Sequence, residues 1–496
     1  MAKYQGSNVP IPLSHNENPL KDYPYTLPFR MRGRMIMLAA LLFGCLLLQP
    51  AISNARQDNL PCLTDISSKD SLLVANRDGK IIYKKNETKR LVPASTLKVL
   101  TALAALHYLG PRYRFKTEFY VDSEQNLKIK GYGDPLMISE VLLEIAGSLS
   151  KRVHNFNSLV LDDSYFASDI RIPGCGQSTN PYDAPVGALS ANFNSVSLGR
   201  DKRGKTISSE PQTPMLPFVR ERVRSLGLKR GRYAFFHGSM DAALYAGELL
   251  LCFLKKRGVM SKGDVRLGRV GPDDVLIYTY ESEFILETVL KKMLFISNNF
   301  MANQVFIALG ASIYGPPGNL AKGVKAVTRF AQRRLRIDDM KIVEGSGISR
   351  QNRLSAIDMF TILKRFRPYR HILKKKDGMR FKTGSLKGIR TRAGYMEGRT
   401  KGPYYFAIFL NQNASRMNGI IRCINLISAK AQSGGRHGSV TLSTYFLKSA
   451  SSAFFASCSL PPLVRDEPLM TKYSQKFDRS LSTIRSAMTS LHSLYA

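Results

Sequence analysis

Three short patterns in this chain place together residue types that could do chemistry. Ser95 is followed three residues later by Lys98. On a helix that spacing sets the lysine amine one turn along, on the same face as the hydroxyl. A serine hydroxyl is a weak nucleophile until a base takes its proton, and a lysine kept neutral by burial can be that base. A helix start at the serine would add positive backbone dipole where oxyanion charge develops. Alone, the pattern is common: Ser148 and Lys151 repeat it. Ser-x-Asn is commoner still, at Ser14, Ser178, Ser190 and Ser297. Lys382-Thr383-Gly384 occurs once, at the end of an apparent strand, and its plain reading is a polar strand end.

The elements that must position these residues can be read from periodicity and turn residues. Ser71 to Tyr83 holds two apolar runs around Asn76-Arg77-Asp78-Gly79, which predicts a β-hairpin. Pro93 to Leu106 is rich in helix formers after a Pro and a Ser, so a helix starts at or near Ser95. From 113 to 280 short β-like runs alternate with Gly, Pro and Asp turns, and residues 200–232 are dense in Arg and Lys; this reads as an inserted, β-rich module. Helices are expected over 283–295, 299–309, 323–335 and 355–366, the last with Ser355 as N-cap. Strands are expected over 381–383, 391–396 and 404–411, and a Ser-rich tail follows residue 432. A catalytic core would then combine 56–112 with 281–431.

Composition bounds the setting. A chain of 496 residues is too long for one ordinary core. Lys plus Arg number 73 against 37 Asp plus Glu, a net +36, so the surface attracts polyanions. Arg32 and Arg34 precede an apolar run from Met35 to Leu48, too short for a comfortable membrane span but right for a signal-peptide core, and Ser53 and Ala55 suit cleavage near Ala55. Residues 1–55 are therefore read as an extension and signal segment, and the protein as exported. Export makes nucleic acid an unexpected partner. The remaining five cysteines leave at least one thiol unpaired and show no zinc spacing. The seven histidines form no paired spacing either, so neither metal nor cofactor is expected.

Taken in order, Ser95-x-x-Lys98, Ser297-Asn298-Asn299 and Lys382-Thr383-Gly384 resemble the three-motif set of the penicillin-recognising serine enzymes. The long stretch between the first two motifs is similar to the insertion of one branch, the DacB-type D-alanyl-D-alanine carboxypeptidase/endopeptidases. Gly131-Tyr132-Gly133-Asp134-Pro135, Leu161 to Phe166, Pro185 to Asn194, Glu344 to Arg350 and Lys382 to Tyr395 resemble that branch too. The resemblance implies an α/β fold, an antiparallel sheet flanked by helices with the β-rich insertion. It implies Ser95 as nucleophile, Lys98 as base, Ser297 as proton relay and Asn299 as the residue orienting Lys98. Lys382, Thr383, Gly384 and Ser385 would bind substrate, with Asp162 of the insertion. The backbone N–H groups of Ser95 and Ser385 would form the oxyanion hole. Lys382 nearby, together with burial, would depress the Lys98 pKa. Peptidoglycan stem peptides would be substrates, β-lactams acylating agents, and anionic envelope surfaces partners. Three departures stand out: Glu344 where the branch usually has Asp, a short basic stretch before Lys382, and a shorter insertion. Alternatives are a catalytically weak peptidoglycan- or penicillin-binding scaffold, a basic polyanion-binding protein, and a β-lactamase, which the insertion disfavours.

Overall fold

The computed structural model describes residues 66–433 apart from His237, residues 398–402 and Asn413. The expected signal segment, the cleavage point and the Ser-rich tail lie outside the described residues. Among the described residues no helix is long and apolar enough to cross a membrane.

β1 (Asp70–Ala75) and β2 (Ile81–Lys85) form the expected antiparallel hairpin. Its turn is fixed by the Asn76 side chain, which accepts from the N–H groups of Asp78 and Lys80, and by Gly79 at φ +87°. A 3-10 turn over Ala94–Leu97 runs into α1 (Lys98–Tyr108), whose residues from Lys98 to Leu106 are all buried. A helix apolar on every side sits at the middle of a core, and the Ala-Leu composition of α1 allows neighbours to approach all round.

The insertion follows as β3 (Arg114–Val121), β4 (Leu127–Gly131), α2 (Ser139–Leu149), β5 (Asn155–Phe156), β6 (Leu159–Asp162), β7 (Val196–Arg200), β8 (Thr206–Ser208), α3 (Pro217–Ser225), β9 (Gly231–Tyr233), α4 (Ser239–Lys256), β10 (Met260–Ser261), β11 (Val265–Leu267) and β12 (Val275–Ile285). Its main sheet runs β11-β6-β4-β3-β12, with β6 parallel to both neighbours and β3 antiparallel to its own. The expected β-rich texture is thus half the account. α2 and α4 cover this sheet, and Leu142, Ile145, Leu161, Leu250 and Phe253 share a core with it. In the basic stretch, α3 buries Val219 and Val223, one turn apart, while Arg224 stays exposed.

The chain then returns to the first unit through α5 (Leu286–Ile296), α6 (Asn299–Tyr314), α7 (Leu320–Phe330), α8 (Ala356–Phe366), β13 (Lys374–Lys376), β14 (Met379–Leu386), β15 (Ile389–Glu397), β16 (Pro403–Leu410) and α9 (Met417–Ser433). Ser355 caps α8 in a reciprocal box with Asp358. The six strands β13-β14-β15-β16-β1-β2 form one antiparallel sheet, so the β1-β2 hairpin closes against β16, the last strand among the described residues. β16 is buried on both faces: Tyr405, Ala407 and Phe409 join the core around α1, while Phe406, Ile408 and Leu410 join the core under α9. The basic stretch before Lys382 turns out to be the edge strand β13, whose three lysines keep an open edge from pairing with another chain. Cys175 and Cys252 are free thiols, and Cys423 is disulfide-bonded.

Candidate active site

Ser95 stands on a constrained turn. Ala94 holds φ at +46°, a left-handed conformation that costs a residue with a side chain about 1–3 kcal/mol and persists only where neighbours impose it. Those neighbours are identifiable. The Pro93 carbonyl accepts from Thr96 Oγ1 at 2.6 Å and from Thr391 Oγ1 of β15 at 2.8 Å. Gly347, at φ +80°, lies so close that a Cβ there would stand 1.9 Å from the Ala94 oxygen. A Cβ on Gly384 would stand 2.3 Å from Thr391 Oγ1 and 2.8 Å from the Ser95 nitrogen. Glycine in the third motif therefore lets β14 pass directly against the serine turn. The segments carrying the Ser95 and Ser385 N–H groups are in contact.

Lys98 is wholly buried, and its amine reaches three acceptors: Ser95 Oγ at 3.0 Å, Asn299 Oδ1 at 2.7 Å and the Ser346 carbonyl at 2.7 Å. Burial pushes its pKa down to about 7, against the opposing pull of Glu344 and Cys175. Lys382, 2% exposed, donates to Ser297 Oγ at 2.7 Å and to the Thr383 carbonyl at 2.6 Å. Its pKa is driven well down by burial first, then by the charges of Lys98 and Lys374. The expected repulsion between the two lysines thus weighs on Lys382, while burial governs Lys98.

The second motif is a helix junction. Ser297 ends α5 in the left-handed region at φ +57°, and the Asn298 side chain caps α6 by accepting from the Met301 N–H at 2.9 Å. The middle residue is taken up structurally, which leaves Ser297 and Asn299 to reach the two lysines. Thr383 and Ser385 are exposed along β14, and Ser385 Oγ accepts from Arg390 at 2.6 Å.

The structure therefore brings together Ser95, Lys98, Ser297, Asn299, Lys382, Thr383, Gly384 and Ser385. Asp162 is not brought to them. It is 1% exposed within the inserted sheet, its oxygens accept from the Ser164 and Val270 N–H groups at 2.9 and 3.0 Å, and Lys130 lies 3.9 Å away. A carboxylate satisfied in this way holds the loops on which it stands. Ser148 and Lys151 lie at the surface end of α2 with Lys151 exposed, and Ser190 donates to the Gly187 carbonyl. Thr101 and Asn303, which no sequence pattern marks, fasten the 344–349 turn to α1 and α6.

Comparison with known proteins bears on this cluster. The model of the D-Ala-D-Ala carboxypeptidase 3 (S13) family matches residues 65–224 and 232–373, which include Ser95, Lys98, Ser297 and Asn299 and stop short of Lys382. The chain is 24% identical over 436 residues to D-alanyl-D-alanine carboxypeptidase DacB of Haemophilus influenzae, a match covering 73% of this chain and 89% of that one. It is 26% identical over 349 residues to the D-alanyl-D-alanine carboxypeptidase of an Actinomadura species, covering 59% of this chain and 63% of that one. Among solved structures, penicillin binding protein 4 (dacB) of Haemophilus influenzae matches with a TM-score of 0.58 at 22% identity, over 71% of this chain and 92% of that one. The same protein complexed with a β-lactam gives 0.55 at 21%, with the same coverage.

Proposed function

The chain belongs to the D-Ala-D-Ala carboxypeptidase 3 (S13) family, and on that footing we propose that it is a serine-type D-Ala-D-Ala carboxypeptidase of peptidoglycan stem peptides, with Ser95 as its nucleophile. The observation that carries the reading is a serine hydroxyl 3.0 Å from a wholly buried lysine whose pKa lies near 7. At neutral pH a sizeable share of that amine is unprotonated and able to accept the serine proton.

Ser95 Oγ attacks the carbonyl carbon of the penultimate D-Ala as its proton passes to Lys98. The oxyanion is met by the N–H groups of Ser95 and Ser385, preorganised by the close passage of β14. The peptide C–N bond breaks, the departing D-Ala amine takes a proton relayed by Ser297, and an ester to Ser95 remains. Water then attacks the ester, giving a proton back through Lys98 and freeing the peptide carboxylate and the serine. Lys382 and Thr383 hold the substrate's terminal carboxylate, and Asn299 orients the Lys98 amine. A β-lactam, which shares that carboxylate and an acylating carbonyl, forms the same ester. Metal and cofactor have no step in this scheme.

The reading includes the division into a core of 56–112 and 281–431 with the insertion at 113–280, and export to the periplasm or cell envelope, supported by the basic flank and apolar run of residues 32–48. It also includes attraction to anionic envelope surfaces through the exposed Lys202, Arg203, Lys205, Arg224, Lys229 and Arg230 of the insertion.

The test is release of free D-Ala from a peptide ending in D-Ala-D-Ala. The wild type releases it and Ser95→Ala does not; equal release by both would overturn the reading.

A further inference from the structure

We infer that Glu344 is a positioning residue for Lys98, its buried carboxylate folding the turn that holds the lysine amine while touching neither Ser95 nor the substrate strand. The inference rests on the reading of Lys98 as the base.

Glu344 is 0% exposed, and donors surround its carboxylate. One oxygen accepts from the N–H and hydroxyl of Ser346 at 2.7 and 2.6 Å. The other accepts from Gly347 N at 2.7 Å, Ser349 N at 3.3 Å and Asn352 Nδ2 at 2.6 Å. All five donors come from the segment that follows Glu344, so the carboxylate winds residues 344–352 around itself. That segment is fastened to the two helices that carry Lys98 and Asn299. The Ser346 carbonyl accepts from Lys98, and the Gly345 carbonyl accepts from Thr101 Oγ1 at 2.7 Å, one turn further along α1. The Gly345 N–H donates to Asn303 Oδ1 at 2.8 Å, one turn beyond Asn299 on α6. Gly347 presses on the Ala94 carbonyl beside the nucleophile. A single carboxylate thus fixes one of the three acceptors of the Lys98 amine and braces the strained serine turn.

Its charge has a second effect. Among the described residues Glu344 forms no ion pair within salt-bridge distance, and its field acts on Lys98, raising the lysine's proton affinity against burial. The other charged or titratable groups facing Lys98 are Cys175, which pulls the same way, and Lys382, whose charge is coupled to it. Position and charge can be separated by substitution. Glu344→Asp keeps the charge and shortens the reach, whereas Glu344→Gln removes the charge and turns an N–H donor toward donors.

The experiment is acylation of the full chain by a fluorescent penicillin across pH, with turnover of a D-Ala-D-Ala peptide alongside. Both variants should acylate about ten- to a hundredfold more slowly at the pH optimum. Their KM should stay near that of the wild type, because the carboxylate-binding residues Lys382 and Thr383 are untouched. In Glu344→Gln the rising limb of the acylation profile should move to lower pH, since the charge that favoured the lysine proton is gone. In Glu344→Asp the limb should stay where the wild type has it. A role confined to folding would lower both rates without moving the Glu344→Gln limb, and that result, or wild-type rates in either variant, overturns the inference. Should Glu344→Gln fail to fold, Glu344→Asp still decides: slower acylation at unchanged KM in a variant that melts as the wild type does supports the inference, and an unchanged rate, a raised KM, or a loss of rate that follows a loss of folded protein overturns it. Wild-type protein that takes no label at all would count against the functional reading itself and the inference would fall with it.

Discussion

The catalytic core and the inserted module both bury ionisable groups, and they use them differently. In the core Lys98, Lys382 and Glu344 are each almost wholly buried, and each is tied to another part of the site: Lys98 to Ser95 and Asn299, Lys382 to Ser297, Glu344 to the turn that receives Lys98. In the insertion the carboxylates serve the loops they stand in. Asp134 is 4% exposed, accepts from the Leu136 N–H, and is pushed up to about 6 by burial. Asp163 accepts from the Leu189 N–H and is pushed up to about 7, again chiefly by burial. Burial thus shifts lysines of the core and carboxyl groups of the insertion toward neutrality. In the core the lysine, a base once neutral, faces the Ser95 hydroxyl; the insertion carboxyls also have serine neighbours, Ser282 for Asp134 and Ser239 for Asp163, but burial keeps their protons on. A shifted pKa marks a reacting group when its neighbours are other reacting groups, and a loop clamp when its neighbours are backbone N–H groups.

Substitutions in the two regions should therefore differ in kind as well as in size. The largest effect belongs to Lys98→Arg. A guanidinium keeps the positive charge and cannot release its proton, so acylation by penicillin should fall about a thousandfold or more. Retained acylation would remove lysine from the role of base. Next is Gly384→Ala, whose added methyl would meet Thr391 Oγ1 and the Ser95 nitrogen and push the serine turn away from β14. Acylation should drop roughly a hundredfold, and a normal rate would mean that the close passage does not matter. The wild-type acylation rate should itself climb as pH rises through about 7, because the neutral Lys98 amine is the active form. A rate that falls over that range would contradict the sign.

The smallest effect is expected in the insertion. Asp163→Asn should leave acylation within about twofold, since the residue clamps a loop. Its effect should appear in stability. The folded state holds the Asp163 proton up to about pH 7 while the unfolded chain releases it near the ordinary carboxyl value, so this group's contribution to stability is lost as pH rises between the two. Thermal melting of Asp163→Asn across that window should show a smaller decline than the wild type. An unaltered decline would assign the pH dependence elsewhere.

The three motifs, the first hairpin, the Ser355 cap and the core strands were legible in the sequence because each is written in local residue types and spacing. The order of the motifs did the work that no single motif could, since Ser148-x-x-Lys151 has the same spacing as Ser95-x-x-Lys98. The helices α2 and α4 were missed because the turn residues around them dominate the texture of the insertion, and a run such as Val141 to Ala146 is apolar enough for either state. The edge strand β13 is three lysines, which carry no strand signal; its pairing with β14 makes it one. The partners of the Asp162 carboxylate, Ser164 and the distant Val270, cannot be read from its own neighbourhood. The same holds for Glu344, whose motif was visible while its link to Lys98 depends on a fold that joins residues 98 and 346.

Ser95, paired with Lys98, should carry the covalent bond to a β-lactam, and the mass of the intact protein and of its peptides after exposure to penicillin locates that bond. One adduct per chain is expected, carried by the peptide that contains Ser95, present at wild-type level in Ser148→Ala and missing from Ser95→Ala. An adduct on any other residue, or one that survives in Ser95→Ala, would contradict that expectation.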